Sequence, residues 1–214
     1  MNDKERVRAL LVSIETGDHA PIAFINPEKY TQHNLAVADG LAGFGAVMQQ
    51  LPKGSARANP VRVFQDGDFV FAHTDYDFFG PKIGFDVFRF ENGKIVEHWD
   101  NLQEKPQKPS PSGHTMLDGP TEATDRDRTA ANKALVASLL DDLLVNGRME
   151  KLPAYFDGDR YVQHNPAVAD GVSGLGAAMA EMAKHGMAMK YSKVHRVLGE
   201  GNFVLAVSEG TLGG

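Results

Sequence analysis

The chain of 214 residues contains no cysteine. Disulfide staples, thiolate zinc sites and cysteine nucleophiles are therefore excluded. It also has no basic run: 22 Lys and Arg stand against 28 Asp and Glu, for a formal net charge of -6. Nucleic-acid binding needs a concentrated basic face, so nucleic acid is not an expected partner. No apolar run approaches the ~18 residues of a membrane helix. The opening Met1-Asn2-Asp3-Lys4-Glu5-Arg6 has no apolar stretch behind it, unlike a secretory signal. No membrane partner is expected, and the expectation is a soluble, cytoplasmic protein. What is present is an ordinary globular balance of 42% apolar and 23% charged residues.

The main internal feature is a repeat. Tyr30 to Gly45 reads YTQHNLAVADGLAGFG and Tyr161 to Gly176 reads YVQHNPAVADGVSGLG, with eleven of sixteen positions identical. The unit is too long for a solenoid and points to a duplicated domain. Phe69-Val70-Phe71-Ala72 and Phe203-Val204-Leu205-Ala206 extend the match. Between the copies, Pro106, Pro109, Pro111, Gly113, Gly119 and Pro120 mark an extended linker. The expected organisation is a first domain at 1–105, a linker at 106–128 and a second domain at 129–214. The second copy stops at Thr211-Leu212-Gly213-Gly214, without the last two strands expected in the first. Residues beyond Gly214, or a strand from elsewhere, are expected to complete it.

Within the first copy, Val7, Leu10, Leu11 and Ile14 form a helical stripe. Ala20 to Ile25 is a second, shorter helix, and Tyr30 to His33 a short strand. Leu41 to Leu51 returns to helical spacing and ends at Pro52. Period two then predicts strands over 58–65, 69–78, 83–90 and 95–102, with Asn92-Gly93 as a type I′ hairpin turn. Helices followed by an antiparallel meander give an α+β fold. In the second copy, Ala130 to Asn146 is expected to be helical. Gly40, Gly43 and Gly45 are spaced wrongly for a nucleotide loop and fit a turn entering a tightly packed helix.

Tyr-x-Gln-His-Asn, Ala-Asp-Gly before a helix, and the run Asp86-Val87-Phe88-Arg89-Phe90-Glu91-Asn92-Gly93-Lys94-Ile95-Val96-Glu97-His98-Trp99-Asp100 carry a resemblance. The chain resembles the SnoaL-like polyketide cyclase group of the nuclear-transport-factor-2-like superfamily, which includes ketosteroid isomerase and limonene epoxide hydrolase. The resemblance covers 5–103 and 132–212. It implies two cone-shaped α+β barrels, each with three helices packed on a curved antiparallel sheet around an apolar pocket. It implies chemistry next to a carbonyl, such as aldol cyclisation or isomerisation, with no metal or organic cofactor. The expected partner is a small apolar molecule. Pairing through the sheet faces is expected too, as an internal pseudo-dimer or a homodimer.

In that group the acid/base aspartate lies eight residues past the Ile of the Gly-Lys-Ile turn. Counting from Ile95 places Gln103 there, and a glutamine cannot exchange a proton. Asp100 is the nearest carboxylate. Alternation puts His98, Asp100 and Leu102 on one face and Trp99, Asn101 and Gln103 on the other.

The candidate catalytic residues are Asp100, His33, His73 and Asp86. Each has a structural alternative. His33 is either an acid/base group at the pocket mouth or, with Gln32 and Asn34, a tie for the turn after the first strand. His73 shares a face with Asp75 and Asp77, as a relay or as a solvated outer surface. Asp86, in an apolar run, is either a tuned acid/base or an ion-pair partner of Arg89 or Lys82. The candidate ligand-binding residues are Tyr30, Gln32, Asn34, His98, Trp99 and Gln103, with Tyr161, His164 and Asn165 in the second copy. No His, Asp or Glu set has close metal-ligand spacing, so no metal is expected. Two functions follow: a cofactor-free enzyme on a small apolar carbonyl compound, or a non-catalytic ligand-binding or interaction module, to which Gln103 points.

Overall fold

The computed structural model describes residues 1–51, 54–187 and 189–213, so the expected helix stop at Pro52 and the terminal Gly214 lie outside the described residues. The chain divides into two compact units, Met1–Lys105 and Pro106–Gly214.

In the first unit, α1 (Asp3–Thr16) begins in a capping box, Asn2 accepting from the Glu5 N–H while the Glu5 side chain accepts from the Asn2 N–H. It ends at Gly17 in the left-handed conformation. Its Val7, Leu10 and Leu11 are buried, as their spacing requires. Ala20–Phe24 forms a 3-10 turn opened by Pro21, tighter than the short α-helix expected there. The strands are β1 (Thr31–Gln32), β2 (Arg57–Asp66), β3 (Phe69–Asp77), β4 (Pro81–Glu91) and β5 (Lys94–Glu104). The sheet order is β1-β5-β4-β3-β2. β2 to β5 form an antiparallel meander, and β1 pairs in parallel with β5, so the sheet is mixed. The β4–β5 hairpin turns on Asn92 and Gly93, at φ of 51° and 73°, the two positive values that a type I′ turn demands. Residues of α1 and of α2 (Gly40–Gln50) face the sheet across a small cavity. Beneath it, Val7, Leu10, Ile25, Val70, Phe88 and Ile95 belong to one buried cluster.

The second unit contains α3 (Thr129–Leu139), a π-helical turn over Leu140–Val145, α4 (Gly171–Lys184), and the antiparallel pair β6 (Met189–Glu200) and β7 (Phe203–Leu212). The helix expected to run evenly to Asn146 thus widens in its last part, where Leu140 and Leu143 are buried. Asp142 on that turn accepts from Arg148, Lys151 and Tyr155, which anchors the chain reversal. Part of the stretch 106–128 is held by hydrogen bonds to this unit. Ser112 Oγ donates to the Gln163 carbonyl at 2.9 Å, and Thr124 exchanges bonds with Asn202. Among the described residues, no helix is long and apolar enough to cross a membrane.

The repeated segments fold into the same loop. In the first, the Gln32 N–H donates to Asp39 Oδ1 (2.6 Å), the Gly40 N–H to the Tyr30 carbonyl (2.9 Å) and the Ala36 N–H to Asn34 Oδ1 (2.8 Å). In the second, Gln163 bonds Asp170 (2.7 Å), Gly171 bonds Tyr161 (2.7 Å) and Ala167 bonds Asn165 (2.9 Å) in the same way. The shared glycines are needed for space. A Cβ at Gly43 would sit 1.8 Å from the Ala38 carbonyl oxygen, and one at Gly174 2.4 Å from that of Ala169. Gly45 and Gly176, two residues further along and so on the opposite side of the helix, face open space.

Two substitutions on α2 should therefore act in opposite directions. Gly43→Ala forces the backbone apart and is expected to destabilise the first unit by about 1–3 kcal/mol. Gly45→Ala is expected to stabilise it by up to about 1 kcal/mol through helix propensity. Urea unfolding followed by the fluorescence of Trp99, the sole tryptophan, measures both.

Candidate active site

The site begins with a register. β4 and β5 pair so that Asp86 stands directly opposite Asp100, and Phe88 opposite His98. Alternation along β5 turns His98, Asp100 and Leu102 into the cavity, as the sequence parity predicts. Leu10, Leu11, Phe44, Val47 and Phe78 supply apolar wall, and no Lys or Arg is among the lining residues. The cavity volume is about 120 Å³. An apolar cavity of about 150 Å³ holds benzene, so this one suits a group of one small ring.

Two carboxylates facing each other in such a place need donors. Asp86 is 2% exposed. Its Oδ2 accepts from Thr74 Oγ1 (3.0 Å) and from the Tyr76 hydroxyl (2.9 Å). Its Oδ1 faces His98 Nε2 at 3.4 Å. Gly84 makes room for this: a Cβ there would lie 2.4 Å from the Tyr76 ring. Both oxygens of Asp100 accept from Asn34 Nδ2, at 2.9 and 2.7 Å. His98 stacks on Phe88 at 4.4 Å, which fixes its ring plane. Its Nδ1 lies 3.1 Å from Gln32 Oε1. The other end of that amide, Gln32 Nε2, donates to the Tyr30 hydroxyl at 3.3 Å.

The electrostatics follow from this packing. Burial pushes the Asp100 carboxyl above its ordinary 3.8, the nearby Asp86 charge adds to the rise, and His98 and the Asn34 hydrogen bond pull against it. Burial also pushes the Tyr30 phenol well up, helped by Asp100 and Asp86. The Tyr76 phenol rises from burial and then from Asp86. Both tyrosines are therefore neutral donors across the working pH range. The arrangement brings together groups able to pass protons: a carboxylate made more basic by burial, two phenols, and an imidazole between two acceptors.

Asp86, His98 and Asp100 each bring one ligand atom within 4.8 Å of the other two, and they form the one group among the described residues with metal-binding proximity. Thr74 and Tyr76 take up Asp86 Oδ2, and Asn34 takes one position on each Asp100 oxygen.

Of the residues singled out in the sequence, the structure brings Asp86, Asp100, Tyr30, Gln32, Asn34 and His98 together at the cavity. Others lie elsewhere. His33 bonds Glu97 Oε1 at 2.9 Å and stacks on Trp99 at 4.6 Å, on the side of β5 turned away from the cavity. His73 stacks on Phe85 at 4.3 Å and meets Arg62 Nη1 at 3.2 Å, also on that outer side. Gln103 is exposed, and Asp100 stands in the cavity instead. Neither proposed ion-pair partner reaches Asp86: Arg89 pairs with Glu97 at 2.7 Å, and Lys82 donates to the carbonyls of Phe78, Phe79 and Gly80. In the second unit, Tyr161 packs edge-on against Phe156, His164 bonds the Thr115 carbonyl and Asp118, and Asn165 ties its own loop. Thr74 and Tyr76 were missed. Their signal was present, since they alternate with His73, Asp75 and Asp77 and so face the other way.

No family model matches the chain, and no curated protein matches it. Several solved structures are similar over about half of it. TsrD from Streptomyces laurentii aligns at a TM-score of 0.40 and 19% identity, over 48% of this chain and 91% of that one. IdmH, a candidate polyketide cyclase from Streptomyces antibioticus, aligns at 0.39 and 18% identity, over 47% and 92%. An LEH-like epoxide hydrolase from M. tuberculosis aligns at 0.40 and 16% identity, over 46% and 80%.

Two outcomes test this description. Asp86→Ala strands the Thr74 and Tyr76 hydroxyls and is expected to destabilise the first unit by about 3 kcal/mol. Asp100→Asn tests the sign of the Asp100 shift. A raised folded value means that stability present below 3.8 is lost as pH rises through the folded value. The variant should therefore gain on the parent as pH rises from acid to neutral. A difference that stays flat across that window contradicts the burial argument.

Proposed function

We propose that the first unit is a small-molecule enzyme that moves a proton at a carbon next to a carbonyl group, without an organic cofactor. The observation that carries this is Asp100: a carboxylate made more basic by burial, held by Asn34, and opening onto an apolar cavity beside a neutral phenol. In this reading Asp100 takes the proton from carbon. The Tyr30 hydroxyl donates to the carbonyl oxygen, where negative charge develops as the enolate forms. Return of the proton at a different carbon completes an isomerisation, and attack of the enolate carbon on a second carbonyl completes an aldol closure. The apolar walls favour an uncharged ligand of about one ring in the reacting pocket.

The second unit repeats the loop of the first. We attribute this to duplication of a cone-shaped α+β domain, on the matching hydrogen bonds at Tyr30–Gly40 and Tyr161–Gly171. Its described residues hold two strands and no counterpart of β5, which carries His98 and Asp100. The proposed chemistry therefore belongs to the first unit.

A second reading, a ligand-binding module without turnover, is favoured by the volume. About 120 Å³ is small beside the roughly 300 Å³ where ligand sites begin.

Deuterium exchange separates the two. Six-membered cyclic ketones incubated with the full chain in heavy water should exchange hydrogens next to the carbonyl, as followed by proton NMR. Asp100→Asn is expected to slow this by about 10²–10⁴-fold. Ketone binding without exchange, or exchange indifferent to Asp100→Asn, supports the binding module instead.

A further inference from the structure

The amide of Gln32 touches two groups of the site at once, and its orientation is not free. Gln32 Oε1 lies 3.0 Å from the backbone N–H of Asn34, which can only donate. That contact identifies this atom as the oxygen. The second unit supplies an independent copy: Gln163 Oε1 accepts from the Asn165 N–H at 2.8 Å in the same loop. The loop therefore sets the amide, and His98 does not.

Two consequences follow from donor and acceptor chemistry alone. An oxygen at 3.1 Å from His98 Nδ1 requires that nitrogen to carry a hydrogen. Only Nε2 is then left to change its protonation, and it faces Asp86 Oδ1. At the other end, Gln32 Nε2 is a donor, so the Tyr30 oxygen accepts from it. The Tyr30 hydrogen is thereby turned away from Gln32, into the space it shares with the carboxylates. We infer that Gln32 is the positioning residue of the site: one loop-locked amide holds hydrogen on His98 Nδ1 and aims the Tyr30 hydroxyl as a donor. The catalytic consequence rests on the proton-transfer reading above, whereas the tautomer consequence stands on geometry alone.

Two substitutions divide these effects. Gln32→Glu keeps an oxygen for the Asn34 N–H and for His98 Nδ1, but replaces the donor to Tyr30 with a second acceptor, which draws the Tyr30 hydrogen off the cavity. Gln32→Met removes both contacts. The full chain, labelled with ¹⁵N-histidine, is read by long-range proton–nitrogen correlation at neutral pH. Hydrogen on His98 Nδ1 is expected in the parent and in Gln32→Glu, with loss of that preference in Gln32→Met. Ketone exchange should fall about 10²-fold in Gln32→Glu although its His98 signature is unchanged. Gln163→Glu, in the equivalent loop without such a histidine, controls for damage to the fold. A parent His98 bare at Nδ1, or a Gln32→Met variant that keeps the parent tautomer while folded, overturns the inference. The tautomer reading needs no substrate, so a protein that never exchanges ketones sinks the enzyme reading and leaves this one decided on its own measurement.

Discussion

The site depends on one awkward pairing: Asp86 and Asp100 face each other across two hydrogen-bonded strands, in a cavity with no Lys or Arg in its lining. Like charges directly opposite in a sheet destabilise it, and burial raises the penalty. The two carboxylates are handled unequally. Asp86 is sunk into the sheet, where two hydroxyls and an imidazole surround it. Asp100 keeps one neutral amide partner and opens onto the cavity. Asp86 is thus tied to structural donors, while burial pushes the cavity-facing Asp100 carboxyl up. The remaining donors are arranged around this pair: Gly84 is small so that Tyr76 can reach Asp86, and Phe88 holds the His98 ring flat.

The loop at 30–40 links this pair to the rest of the fold. Its Asp39 and Gly40 tie the strand entry to the start of α2, and Gly43 lets that helix press against Ala38. Such ties involve backbone, so they recur wherever the same path is needed, and the second unit has them all. What the first unit adds is an audience for the side chains. Asn34 has Asp100 to hold and Gln32 has His98 to face. In the second unit His164, the counterpart of His33, is turned to Thr115 and Asp118, and no counterpart of β5 is among the described strands. A loop held by the same backbone ties in both units thus also holds cavity side chains in the first.

Much of the fold could be read from residues because its determinants are local. Asn92-Gly93 permits positive φ, and Val7, Leu10 and Leu11 recur at helical spacing. Strict alternation on β5 put His98 and Asp100 on one face and Trp99 and Gln103 on the other, and the cavity lies on the first of these. What was hidden is non-local. Tyr76 and Thr74 matter only because β4 is in register to present Asp86 to them, and register follows from the whole meander. His33 drew notice as a titratable group in a repeated motif, but the motif repeats for its backbone bonds, and His33 lies on the outside against Trp99. The count from Ile95 ends at Gln103, which pairs with Ile83 and is exposed, whereas Asp100, the nearest carboxylate, pairs with Asp86 and lines the cavity. The π-helical turn at Leu140–Val145 has no period-based signal, since its neighbours still read as an ordinary leucine stripe.

Charge bookkeeping in the cavity sets what can enter. The titratable groups lining the cavity are two carboxyls, Asp86 and Asp100, against one imidazole, His98, and two phenols held neutral by burial. No Lys or Arg lines the cavity to meet an anionic ligand. At a separation near 4 Å and an effective dielectric of about 20, an added carboxylate would face roughly 4 kcal/mol of repulsion for each unbalanced charge. That exceeds what burying one further methyl group returns, about 0.8 kcal/mol. A carboxylate or phosphate at the reacting end would therefore need about five further buried carbons to offset the repulsion. A neutral carbonyl compound presents only an oxygen lone pair to Tyr30 and a weakly acidic hydrogen to Asp100. On the proton-transfer reading, protonation of Asp100 leaves the negative charge on the enolate, so the charge moves away from Asp86 only as far as the Tyr30 hydroxyl can hold it.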